Sequence, residues 1–145
     1  DNMIAEGPNA IVHDGTIYLI YSGSLVGIDY TTGLVTAPAG QDADLTDPNV
    51  WTKLDYPLQK SGVYNEQWQL GTGHGMWSND EDGNLIYVFH NAEYENGRYG
   101  GRDAQVRRVH WSKEGMPILD MQAAEELNPD YADITMKIVV SGNKG

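Results

Sequence analysis

The sequence contains no cysteine among its 145 residues. Disulfides, zinc–thiolate sites, iron–sulfur clusters and cysteine nucleophiles are excluded with it. Cations are scarce too: 9 Lys+Arg stand against 21 Asp+Glu, a formal net charge of −12. A surface this acidic repels polyanions, so nucleic acid and anionic membrane surfaces are not expected as partners. No apolar run reaches the roughly 18 residues that a membrane-spanning helix needs. The N-terminus carries no charged-then-apolar signal pattern. It opens abruptly on Asp1-Asn2-Met3-Ile4-Ala5-Glu6, which reads as a cut rather than a natural beginning. Phenylalanine occurs once, and helical periodicity is weak almost everywhere.

What is present points to a folded, β-rich chain. With 40% hydrophobic and 21% charged residues, it is too apolar for a disordered protein. Nine Tyr and 4 Trp against the single Phe give aromatics with polar tips, which suit wet, hydrogen-bonding surfaces such as sugar sites. Short runs of Ile, Val, Tyr and Leu alternate with turn signals, the pattern of antiparallel strands. Asp14-Gly15 separates residues 9–13 from 16–22, a hairpin signal because both turn positions need positive φ. Around Asp82-Gly83 a second hairpin joins residues 75–78 to 85–91, and Glu114-Gly115 joins 105–111 to 116–121.

The first two hairpins repeat each other. Ile17-Tyr18-Leu19-Ile20-Tyr21-Ser22 aligns with Ile86-Tyr87-Val88-Phe89-His90-Asn91 at an offset of 69, and Asp14-Gly15 with Asp82-Gly83 at 68. Third strands are expected at 33–37 and 104–111, fourth strands at 51–54 and 117–119. Repeated four-stranded units mark propeller blades; a β-sandwich with two similar hairpins is the alternative. The expected organisation is all-β: one unit over residues 6–55, a second over 72–121, and a tail over 122–145 with a final strand at 134–140. Residues 42–49 read as a loop with one helical turn, 120–133 as a loop with a short helix, and 141–145 as frayed.

The repeat places two triplets in phase. Glu6-Gly7-Pro8 precedes the first strand of one unit, and Gly73-His74-Gly75 that of the next, 68 residues on. In a propeller the first strands line the axis, so Glu6 and His74 should converge there. The loops expected at that end, 22–30, 55–73 and 91–102, carry Tyr30, Tyr64, Trp68, Tyr94 and Tyr99, whose faces suit sugar rings, although each one taken singly is better explained as cover for loop backbone. Asp14, Asp82 and Glu114 are explained by turn chemistry. His13, His90 and His110 lack the phase of His74 and read as ordinary strand or turn residues. Glu66 and Asp103 lie at the right end but on no inner strand.

Glu6-Gly7-Pro8-Asn9-Ala10-Ile11, Tyr18-Leu19-Ile20-Tyr21-Ser22-Gly23-Ser24, Asp44-Leu45-Thr46-Asp47-Pro48, Gly71-Thr72-Gly73-His74-Gly75 and Gly101-Arg102-Asp103-Ala104-Gln105-Val106 together resemble glycoside hydrolase family 43. The arabinofuranosidase and xylosidase members are the most similar, and the resemblance runs from Glu6 to about Met121. It implies a five-bladed β-propeller of which this chain is a C-terminal part: about two four-stranded blades plus a strand. It further implies inverting hydrolysis of arabinofuranosyl or xylosyl units in plant polysaccharide or oligosaccharide, with no organic cofactor. Glu6 carries over as general acid. His74 carries over to the funnel floor, beside substrate and linked to calcium directly or through water. Arg102 carries over as a sugar contact, although Asp103 stands where members often have His; Trp68 and Tyr99 are further substrate-contact candidates. In that family two carboxyls stand roughly 6.5–9.5 Å apart to admit a water. The resemblance puts the base, and a second Asp that tunes the acid, upstream of Glu6. The missing blades then come from the same enzyme, from another chain, or from self-association. The alternative reading is a non-catalytic carbohydrate-binding half-propeller. A secreted or periplasmic location is compatible with the sequence, as is a cytoplasmic one.

Overall fold

A computed structural model describes residues 4–96 and 98–126, together with positions 137 and 139. The chain folds into antiparallel sheets. The first has the order β1 (Ile4–His13), β2 (Thr16–Ser24), β3 (Thr31–Pro38) and β4 (Thr52–Lys53). The second has the order β5 (Gly62–Tyr64), β6 (Gln67–Asn79), β7 (Leu85–Glu95) and β8 (Arg98–Arg108). Beyond β8 a two-stranded ladder, β9 (His110–Trp111) with β10 (Pro117–Ile118), continues the second unit. A 3₁₀ turn at Pro48–Val50 and a single helical turn, α1 (Ala123–Glu126), complete the described elements. Most of the strand expected at 134–140, and the tail at 141–145, lie outside the described residues.

Turn chemistry sets the hairpins. Asp14 and Gly15 have φ of 45° and 74°, the left-handed pair that matches strand twist. At the second hairpin, Asp80 holds the loop by accepting from the Asp82 and Asn84 amides and from Asn84 Nδ2. Alternation then decides burial: Tyr18, Ile20 and Ser22 of β2 point inward, and so do Tyr87 and Phe89 of β7. The core lies between the sheets, where Tyr18, Ile20 and Leu34 meet Trp77, Tyr87, Phe89, Val109 and Leu119. β6 is the element that packs across β1, β2 and β3.

The repeat offset is visible as contact. Asn9 Oδ1 accepts from the Trp77 amide at 2.8 Å, tying β1 to β6 at the 68-residue spacing. Glycines let aromatic rings cross the strands. A Cβ at Gly75 would stand 2.2 Å from the Tyr87 ring, and one at Gly73 2.6 Å from the Tyr30 ring.

The strands are longer than their turn-rich ends suggest. β6 begins at Gln67, so Trp68 is a strand residue and not a loop residue. β7 runs to Glu95 and β8 starts at Arg98, so the loop expected over 91–102 is a strand ribbon. Within that ribbon Gly101 serves packing: a Cβ there would lie 2.9 Å from the Glu93 carboxylate. The third hairpin pairs only Trp111 with Pro117 and His110 with Ile118.

Candidate functional site

Glu6 and His74 do converge. Glu6 sits in β1 opposite Ser22 of β2, just before the bulge between Glu6 and Asn9. His74 sits in β6 within the register shift between Gly73 and Met76, with φ of 49°. Its amide donates to Ser22 Oγ at 2.6 Å, so a fully buried serine of one sheet fixes the strained residue of the next. Gly7 leaves room for the imidazole; a Cβ there would stand 3.2 Å from the ring. The result is Glu6 Oε1 at 3.7 Å from His74 Nδ1, both side chains about half exposed at 42% and 49%.

Tyr30 bridges the two. Its hydroxyl donates to Glu6 Oε1 at 2.7 Å and lies 3.2 Å from His74 Nδ1. The ring is 1% exposed, lies over Gly73, and stacks on His90 with centroids 5.6 Å apart and planes at 12°. Burial, foremost, pushes the Tyr30 phenol up to about 12, so it remains a donor at any working pH. His90 has both ring nitrogens buried without a hydrogen-bond partner. Its burial, and then the charges of Arg102 and His74, hold it below the usual histidine range.

Arg102 reaches the same place from β8. His74, His90, Arg102, Met76 and Ala104 line an open hollow of about 390 Å³. Arg102 Nε donates to the Tyr99 hydroxyl, and the guanidinium lies 5.5 Å from that ring's centroid. Tyr99 is 45% exposed and set edge-on to Tyr94. Thus a chain of net charge −12 gathers two imidazoles and a guanidinium around one hollow, with the Glu6 carboxylate beside His74. That arrangement can hold neutral hydroxyl-rich ligands and move a proton at Glu6.

Trp68 stands apart from this group. It pairs with Val63 of β5, is 71% exposed, and lies six residues along β6 from His74, on the order of 20 Å at strand rise. Glu66 occupies the turn before β6 with φ of 64°. Asp103 alternates with Arg102 and Ala104, so its side chain leaves on the opposite face of β8. Tyr64 belongs to a different cluster, under the guanidinium of buried Arg107 at 3.9 Å. His90, read from the sequence as an ordinary strand residue, joins the site. Its signal was cross-strand: His90 is the partner of Gly73, the glycine over which Tyr30 passes.

The model of Glycosyl hydrolases family 43 matches residues 1–117. The chain belongs to this family. It is 36% identical over 120 residues to alpha-L-arabinofuranosidase 43 of Humicola insolens, covering 79% of this chain and 24% of the relative. It is 31% identical over 134 residues to an extracellular exo-alpha-(1->5)-L-arabinofuranosidase of Streptomyces avermitilis, covering 87% of this chain and 27% of the relative. Among solved structures, an alpha-L-arabinofuranosidase from Lactobacillus brevis superposes with a TM-score of 0.69 at 30% identity, over 79% of this chain and 36% of that one. The chain therefore spans about a quarter of the length of the curated relatives it matches. Its β-propeller class agrees with these family 43 neighbours.

The family resemblance also implies calcium near His74. Among the described residues no three His, Asp or Glu side chains gather as a metal-binding group. Calcium takes roughly six to eight oxygen ligands, whereas His74 and Glu6 offer one ring and one carboxylate, with Nδ1 already facing Tyr30. Glu6 and His74 alone do not form a calcium shell; a calcium ion near His74 would be held largely through water or other parts of the protein.

Proposed function

We propose that this family 43 chain is the acid-bearing part of an inverting glycosidase that removes terminal α-L-arabinofuranosyl units from plant polysaccharide fragments. The observation that carries the reading is the convergence of Glu6, Tyr30, His74 and Arg102 at one end of two adjoining sheets. Glu6 protonates the glycosidic oxygen as the bond to the anomeric carbon breaks. A water, activated by a carboxylate that the family resemblance puts upstream of Glu6, adds to the opposite face. Arg102 and His74 face the hollow and hydrogen-bond sugar hydroxyls, with Tyr99 flanking them. The relatives above 30% identity are arabinofuranosidases by name, which favours arabinose over xylose. Two of these relatives are extracellular by name, and secretion is the location we propose. Among the described residues no helix is long and apolar enough to cross a membrane.

The base belongs to other blades on this reading, so the isolated stretch 1–145 is nearly inactive. General acid and base groups each contribute about 10²–10⁴-fold. The test is a panel of nitrophenyl glycosides with the intact protein and with the stretch alone. The expected result is turnover of the α-L-arabinofuranoside above the β-D-xyloside by the intact protein, with little by the stretch. Turnover of neither glycoside by the intact protein would refute the hydrolase reading and leave a carbohydrate-binding half-propeller. Robust turnover by the stretch as a monomer would refute the missing base.

A further inference from the structure

We infer that Tyr30 is the positioning residue of the acid: its hydroxyl holds Glu6 Oε1, which leaves Oε2 as the oxygen that carries the transferable proton, and its oxygen sets the tautomer of His74. The inference rests on the proposed role of Glu6. A phenol has one proton to give; the two groups that could accept it are Glu6 Oε1 at 2.7 Å and His74 Nδ1 at 3.2 Å, while the Ser22 hydroxyl, also hydrogen-bonded to Tyr30, favours the phenolate and so donates to its oxygen. The proton goes to the carboxyl oxygen, where the bond is the shorter of the two and becomes charge-assisted as Glu6 ionises. The phenol oxygen then accepts from His74 Nδ1–H, so the neutral imidazole keeps its lone pair on Nε2. Because Oε1 is already occupied by a donor, a proton on Glu6 resides on Oε2.

The ring cannot follow a wandering carboxylate. It is 1% exposed, confined over Gly73 and stacked on His90, so the donor is in place before substrate binds. In the reaction the Oε2–H bond breaks, the glycosidic oxygen gains the proton, and the bond to the anomeric carbon breaks. Water supplies the new hydroxyl, and its proton goes to the base. Glu6 gains negative charge along this path, so the Tyr30 hydrogen bond strengthens toward the transition state, which is the condition for raising the rate. The loop aromatic thereby acquires a role in acid chemistry without touching substrate.

The test compares two leaving groups in the intact protein. A nitrophenolate needs little acid help, and an unactivated sugar alkoxide needs all of it. A hydrogen bond to a charged group corresponds to about 10–100-fold, so Tyr30→Phe should shift the ratio of kcat/KM between nitrophenyl arabinofuranoside and an arabino-oligosaccharide by that factor, against the oligosaccharide. In a Glu6→Gln background Tyr30→Phe should shift the ratio no further. An equal loss on both substrates, or an additive shift in the Glu6→Gln background, would overturn the inference. If Tyr30→Phe does not fold, Gly73→Ala, which displaces the ring but keeps the hydroxyl, carries the same comparison. If Glu6→Gln itself leaves the ratio unchanged, the acid role of Glu6 has failed. If Glu6→Gln shifts it and Tyr30→Phe does not, only the role of Tyr30 has failed.

Discussion

Gly75→Ala probes how the two sheets are held in phase. The added methyl carbon would stand 2.2 Å from Tyr87 Cε2, 2.4 Å from its hydroxyl oxygen and 2.5 Å from Cζ. Ordinary carbon contacts are about 3.5–4.0 Å, so ring or strand must move by more than an ångström. Tyr87 has nowhere to go. It is fully buried, stacked on Phe89 with centroids 5.0 Å apart, tilted against Trp77, and its hydroxyl shares a 2.7 Å hydrogen bond with Thr32 Oγ1 of the other sheet. Overpacking of this kind costs about 1–3 kcal/mol, and a broken buried hydrogen bond about 1–3 more. A loss of about 2–5 kcal/mol is expected, a large share of the total stability of a single domain. Urea denaturation followed by tryptophan fluorescence measures it. Gly40→Ala is the control, since a Cβ there meets nothing within 4 Å, and it should change stability by less than about 0.5 kcal/mol. Tyr87→Leu should make the Gly75→Ala change less costly, because it clears the space. A Gly75→Ala protein as stable as the Gly40→Ala control would refute the packing argument.

Further expectations concern His90, Arg102 and Trp68. His90 titrates below the ordinary histidine value because of burial, then Arg102 and His74. Between about 6.5 and that lowered value the unfolded chain binds a proton that the folded chain refuses, so stability falls as pH drops through the window. Urea midpoints at pH 7.5 and 5.5 should therefore differ less in His90→Phe than in the parent; an unchanged difference would contradict the burial argument. Arg102→Ala should raise KM for arabinofuranosides by about 10–100-fold, the loss of a charged hydrogen bond, read from initial rates. Trp68→Ala, far along β6, should leave nitrophenyl arabinofuranoside kinetics within about threefold of the parent, in keeping with a surface substitution away from the chemistry.

Sequence patterns made the hairpins and the phase of the two units legible because both are local or repetitive. Asp14-Gly15 encodes its own φ values. The 68-residue spacing that aligned Glu6 with His74 reappears as the Asn9–Trp77 hydrogen bond. The long-range part was hidden. Tyr30 looked like one loop aromatic among five, because its meaning depends on Gly73, distant in sequence, leaving room for the ring. His90 lacked the phase of His74, yet it supports Tyr30 from the neighbouring strand by stacking. Strand ends were hidden as well: Gly101 makes room for Glu93, and β7 and β8 run on past the expected loop.

The central claim is that Glu6, held by Tyr30 beside His74, is the proton donor of a family 43 hydrolase. Its most direct test is the rate at which Glu6→Gln in the intact protein releases arabinose from an unactivated arabino-oligosaccharide. The account predicts a fall of about 10²–10⁴-fold, with the far-ultraviolet circular dichroism and the urea midpoint of the parent retained. Release within about threefold of the parent rate would contradict it.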